Sequence, residues 1–163
     1  MSTSLTLPDL PMISAEDVET ALATADVSKL PAATRVRYLI ALCQSIGVSP
    51  LTKPFILLKN QAGEMTWYPT VGCSDQLRAK HRVSVHVVSR ERFDDLYVVT
   101  VKVSLPDGRQ EESQGVVPVA GLSGKALGDA LMRCESKAKR RATLSLVGLG
   151  LPLADEDAGH PVR

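Results

Sequence analysis

Aromatic side chains make up only 4% of this 163-residue chain, with one Trp, three Tyr and two Phe, too few for an extended stacking surface. No apolar run approaches the 18 to 20 or so residues that a membrane-crossing helix needs. The opening MSTSLTLPDLPM also lacks the basic-then-apolar order of a secretion signal. A soluble, cytoplasmic protein without membrane partners is expected. Cys43, Cys73 and Cys134 form no CxxC pair, so the spacing that zinc or dithiol chemistry uses is missing. His81, His86 and His160 are scattered and Asp94-Asp95 reads as a turn, so neither a metal site nor a cofactor is expected.

Net charge is small as well, at +1, but its distribution is uneven. Residues 1–31 hold five acids against Lys29, and residues 150–163 hold Asp155, Glu156 and Asp157 against Arg163, which leaves about +7 on residues 32–149. Such an excess attracts phosphates if the charges cluster.

The pattern along the chain predicts an α+β fold. A leader over residues 1–13 is expected to be disordered, and Ser14 is placed to cap a short helix in SAEDVETALATA. Val36, Leu39, Ile40, Cys43 and Ile46 recur at helical spacing before Gly47 and Pro50. PFILLKNQAGEMTWYPT alternates around Asn60–Gly63 as a β-hairpin does, with Trp67 and Tyr68 on opposite faces of its second strand and at most one of them directed into the core. GCSDQLRAKHR predicts a short helix from near Ser74, carrying Arg78, Lys80 and Arg82. Three β-branched runs follow, the last two joined at Asp107-Gly108, as a meander. The longest helix comes last, in LSGKALGDALMRCESKAKRRATLSLVGLG, with Ser123 as its expected cap. One antiparallel sheet backed by this helix is expected, as a single domain over 14–151 with a short acidic, flexible tail over 152–163.

The final helix carries the functional signal. Leu127, Leu131, Cys134, Ala138, Ala142 and Ser145 share one stripe, mostly of small residues, which should lie close against the sheet. Four cations, Lys137, Lys139, Arg140 and Arg141, crowd into the segment KAKRR. On a helical wheel Arg133, Lys137 and Arg140 fall within about 60° of one another, Arg141 borders the apolar stripe and Lys139 stands apart. Like charges one turn apart repel by a few tenths of a kcal/mol per pair, so the row gains nothing without an anionic partner. Basic residues near a helix C-terminus do gain from the macrodipole, and that is the structural alternative. A rail for phosphates is the functional one.

Enzyme readings find little support. GLSGKA has Val119 where a phosphate-binding loop needs glycine and Ala126 where it needs Ser or Thr. Cys73-Ser74-Asp75 comes with no base specified to activate a nucleophile, and helix capping accounts for Ser74.

GVSPLTKPFILLKNQAGEMTWYPTVGCSDQLRAKHRV followed by GKALGDALMRCESKAKRRATLSLVGLG resembles the RecT/Redβ class of phage single-strand annealing proteins over about residues 32–151. The last helix, following a meander and ending in Lys and Arg before glycine, is similar in architecture to that of the eukaryotic radiation-repair annealing proteins. The resemblance implies ATP-independent annealing of complementary strands in phage recombination. It implies a homo-oligomeric ring or helical filament that holds single-stranded DNA and the annealed duplex intermediate in a groove between sheet and helix. Candidate partners are a phage exonuclease or a host single-strand-binding protein, although the C-terminal partner-binding domain of some relatives is not expected after Gly150. Carried over by position, the basic motif lands on Lys137, Lys139, Arg140 and Arg141. Arg133 joins by geometry, Arg78, Lys80 and Arg82 are expected to widen the groove, and Trp67 is the candidate base platform. No covalent bond would be broken, and no catalytic residue is assigned. The alternatives are a metal-dependent DNA-processing enzyme such as a nuclease, and a structural interaction protein that binds no nucleic acid.

Overall fold

Ser14 begins the fold with a cap. Its hydroxyl accepts the Asp17 amide at 3.0 Å and opens α1, Ala15–Thr24. The computed structural model describes residues 14–24, 26–59, 63–150 and 160–161. The expected leader, most of the acidic tail and three residues of the first hairpin turn lie outside these. α2, Ala32–Ile46, ends on Gly47 at φ 70°, a left-handed conformation that glycine adopts without Cβ strain. Cys43 is fully buried, and Leu39, Leu42 and Ile46 pack around it. Val36, expected in that stripe, instead faces solvent, because the start of α2 projects beyond the cluster that covers its later turns.

A 3-10 turn at Pro50–Thr52 leads into β1, Phe55–Lys59, paired antiparallel with β2, Met65–Pro69. α3 spans Val71–His81, three residues earlier than expected. Its cap is Thr70, whose side chain accepts the Cys73 amide at 3.4 Å, while Ser74 lies in the first turn and donates its hydroxyl to the Val71 carbonyl at 2.8 Å. β3 (Ser84–Phe93), β4 (Leu96–Ser104) and β5 (Gln110–Pro118) form the meander in the order β3-β4-β5. The Asp107-Gly108 turn stands where the sequence puts it, with Gly108 at φ 90°. The helix α4, Gly124–Leu146, follows, and His160–Pro161 (β6), within the tail expected to be flexible, pairs with β1. Ser123 sits at the head of α4 without making a side-chain cap bond.

The fold is α+β, but its strands lie in two sheets, β2-β1-β6 and β3-β4-β5, rather than one. α4 spans both parts. Cys134, Ala138, Ala142 and Leu146 pack on Val99, Val101 and Val103 of the meander, while Leu144 reaches Phe55, Cys43, Cys73 and Leu77. Ser145 of the expected stripe is exposed, since at its last turn α4 is gripped from other sides through Leu144 and Leu146. Small residues on α4 let it approach the sheet so closely that the facing strand needs a glycine. A Cβ on Gly115 would overlap the Cys134 carbonyl oxygen. Among the described residues, no helix is long and apolar enough to cross a membrane.

Asp26 ties the N-terminal helices to the hairpin. Its buried carboxylate accepts the amides of Met65 at 2.8 Å and Ser28 at 2.9 Å, and the Ser28 hydroxyl at 2.8 Å. These bonds, the Met65 amide first, hold its pKa below the ordinary carboxylate value. A depressed pKa contributes stability above the unfolded-state value that is lost as pH falls through the native one. Asp26→Ala, which strands the Met65 amide, is expected to cost about 2 kcal/mol in urea denaturation at neutral pH. Asp26→Asn should flatten the loss of stability below about pH 4.

Candidate nucleic-acid interface

α4 runs 23 residues, about 35 Å, and carries Lys125, Arg133, Lys137, Lys139, Arg140 and Arg141 against only Asp129 and Glu135. Both acids are occupied. Asp129 accepts Lys125 Nζ at 2.6 Å, and Glu135 accepts Lys139 Nζ at 2.6 Å and Arg90 of β3 at 2.9 Å. The hydrogen bonds from Lys139 and then Arg90 hold the Glu135 carboxyl below its usual pKa, so this carboxylate stays ionised at neutral pH. Lys139 is thereby committed to the β3 side of the helix, apart from the row.

The other cations divide by face. Arg133 and Arg140, two turns apart, line an open groove of about 770 Å³ on the outer side of α4, away from the meander. Val71, at the start of α3, forms part of its wall, and Leu122, Ala126 and Met132 complete its apolar lining. Arg141 lines a separate hollow of about 500 Å³ against Glu112, Ser113, Gln114 and Val116 of β5. Lys137, half-buried, stands one turn from both Arg133 and Arg141 and so between the two. KAKRR is therefore distributed over three sides of one helix.

The basic residues of α3 do not join this groove. Arg78 forms an ion pair with Asp75 and reaches the Thr143 hydroxyl at 3.4 Å, tying α3 to α4. Lys80 donates to the Ile46 carbonyl at 2.7 Å and so caps the end of α2. Arg82 is exposed and closes α3 in a left-handed conformation, φ 55°. Trp67 packs among side chains of two core clusters, and Tyr68 on the opposite face of β2 is only 5% exposed. Both faces of the hairpin thus carry covered aromatics, where the alternation had left room for one, because helices and loops pack on more than one side of it. Trp67 in this position supports the core and does not face the groove.

The thiols are sequestered. Burial pushes Cys73 up to about 11, helped by neighbouring Cys43, and raises Cys134 as well, so none is poised as a thiolate. Among the described residues no group of three His, Cys, Asp or Glu converges.

No protein-family model matches the chain, and no curated protein does.

The groove itself shows the chemistry on offer. Arg133 and Arg140 bring guanidinium groups to it, whose forked geometry matches phosphate or carboxylate oxygens, and an apolar wall stands beside them. Met132 and Val71 were invisible to a reading that divided α4 into an apolar stripe and a basic row. The available signal was Met132 itself, an apolar residue on the side of the helix opposite the stripe.

Proposed function

We propose that this protein binds single-stranded DNA along the outer face of α4 and anneals complementary strands without ATP, acting in recombination in the cytoplasm of a phage-infected bacterium. The observation that carries the reading is the groove on the outer face of α4, in which Arg133 and Arg140 stand two turns apart beside an apolar wall. Arg133, Lys137 and Arg140 hold phosphates. Arg141 contributes from its own hollow, and Arg78 and Lys80 serve by fixing α2, α3 and α4 in place. Few phosphate contacts per chain give weak, salt-sensitive affinity, which becomes useful when many subunits share one strand. A homo-oligomeric ring or filament follows from that reasoning. The resemblance of the α4 segment to the RecT/Redβ helix points the same way.

The test is annealing of complementary oligonucleotides, one carrying a fluorophore and the other a quencher, without ATP. Wild type is expected to accelerate pairing, and Lys137→Ala/Arg140→Ala to lose most of that acceleration. No acceleration by wild type would sink the proposal, and strand cleavage on adding divalent metal would favour a nuclease instead.

A further inference from the structure

The groove has a second wall that electrostatics does not explain. Met132 is 65% exposed and Val71 40%, and they line it together with Leu122 and Ala126. Helix formation does not need Met132 on that face, and the meander packs on the opposite one. Beside this apolar surface stand Arg133 and Arg140, while Asp129, the one acid among the described lining residues, is bonded to Lys125 at 2.6 Å. The occupant that fits must offer anions at intervals along its length together with exposed apolar faces. A duplex offers the anions but keeps its base faces stacked inside. A single strand offers both.

We propose that Met132 and Val71 form the shelf that contacts bases in the single-strand site, an inference that rests on the DNA-binding reading above. Arg133 and Arg140, about 10 Å apart along the helix axis, hold the backbone while an unstacked base lies against the thioether and the valine methyls. Methionine suits the task because its unbranched, polarisable side chain adapts to whatever surface meets it. The shelf carries no donor or acceptor to read a base edge, so contact is independent of sequence. It also gives a chain with 4% aromatics, whose Trp67 is packed in the core, a means of gripping bases. Paired bases cannot reach it, and the site therefore prefers a single strand to the annealed product.

Binding of a fluorescent oligothymidine is measured by anisotropy at several salt concentrations. Met132→Ser is expected to weaken single-strand affinity about fivefold, equivalent to about 1 kcal/mol, with an unchanged salt slope and unchanged duplex affinity. Met132→Trp should strengthen single-strand binding by a similar factor, since an indole stacks on any base. A benzophenone amino acid at position 132 should cross-link to the oligonucleotide, and one at exposed Lys102 of β4 should not. If Met132→Ser and Met132→Trp bind as wild type does while Arg133→Ala weakens binding and lowers the salt slope, the shelf is wrong and the phosphate row stands. Cross-links from position 132 to a second copy of the chain, with smaller assemblies in Met132→Ser, would overturn the shelf in favour of a subunit contact. If wild type binds no single strand, the annealing reading itself fails.

Discussion

Gly115→Ala is expected to be the most destabilising single-methyl addition in the meander, costing about 3 kcal/mol and lowering the melting temperature by about 6–12 °C. A Cβ at this position would overlap the Cys134 carbonyl oxygen and lie 2.8 Å from the Ala138 nitrogen. Both are backbone atoms of α4, so no rotamer change relieves the clash, and the helix must lift from the sheet. Lifting it loosens Cys134, Ala138 and Ala142 from Val99, Val101 and Val103, all fully buried, and separates the Cys134 thiol from the Gly115 carbonyl, 3.2 Å away. Gly128→Ala is the control with the opposite sign. Nothing lies within 4 Å of its added methyl, and replacing a glycine inside a helix stabilises by about 0.5–1 kcal/mol. Thermal denaturation followed by circular dichroism checks both. A Gly115→Ala variant as stable as wild type would show that α4 does not approach the sheet this closely.

That tight contact explains which parts of the fold were legible. The run of small residues in α4 announces a close neighbour, and the β-branched runs with their turn residues announce the meander, because both patterns are local. The partition into two sheets is not local, for it depends on how far the hairpin stands from β3, and no periodicity records that. The sequence places the start of α3 late because Gly72 and Cys73 resemble a loop, whereas Thr70, just after Pro69, supplies the cap. The same limit governs the basic residues. A wheel places Arg133, Lys137 and Arg140 together because all three belong to one helix. It says nothing of Lys80, whose partner is the Ile46 carbonyl 34 residues away, or of Arg78, whose partner Thr143 lies 65 away. Density of charge in the sequence therefore exceeds the charge that lines the groove, because Arg78, Lys80 and Lys139 are bonded elsewhere.

A salt titration separates the cations that line the groove from those bonded to acids elsewhere. Arg133→Ala/Arg140→Ala is expected to weaken single-strand binding about 25-fold at 0.1 M salt, with the slope of log affinity against log salt falling in magnitude by about 1.4. These values follow from about 0.7 of slope for each phosphate neutralised on a single strand. One decade below molar salt, each lost contact therefore removes about 0.7 of a log unit, or about fivefold. Lys139→Ala, by contrast, removes a charge already bonded to Glu135, and Arg78→Ala one already bonded to Asp75, so the slope should stay within error of wild type in each. Arg78→Ala should instead lower stability by about 1 kcal/mol through loss of its bonds to Asp75 and Thr143. Alanine is the best helix former, so the two changes in α4's groove are expected to leave the helix intact, which circular dichroism checks. Equal loss of slope in all of these variants would mean that the whole basic cluster meets DNA without regard to face, and the division of KAKRR by the groove would be wrong. An unchanged slope in Arg133→Ala/Arg140→Ala alone would place the strand elsewhere on the molecule, with the Arg141 hollow against β5 the next surface to mutate.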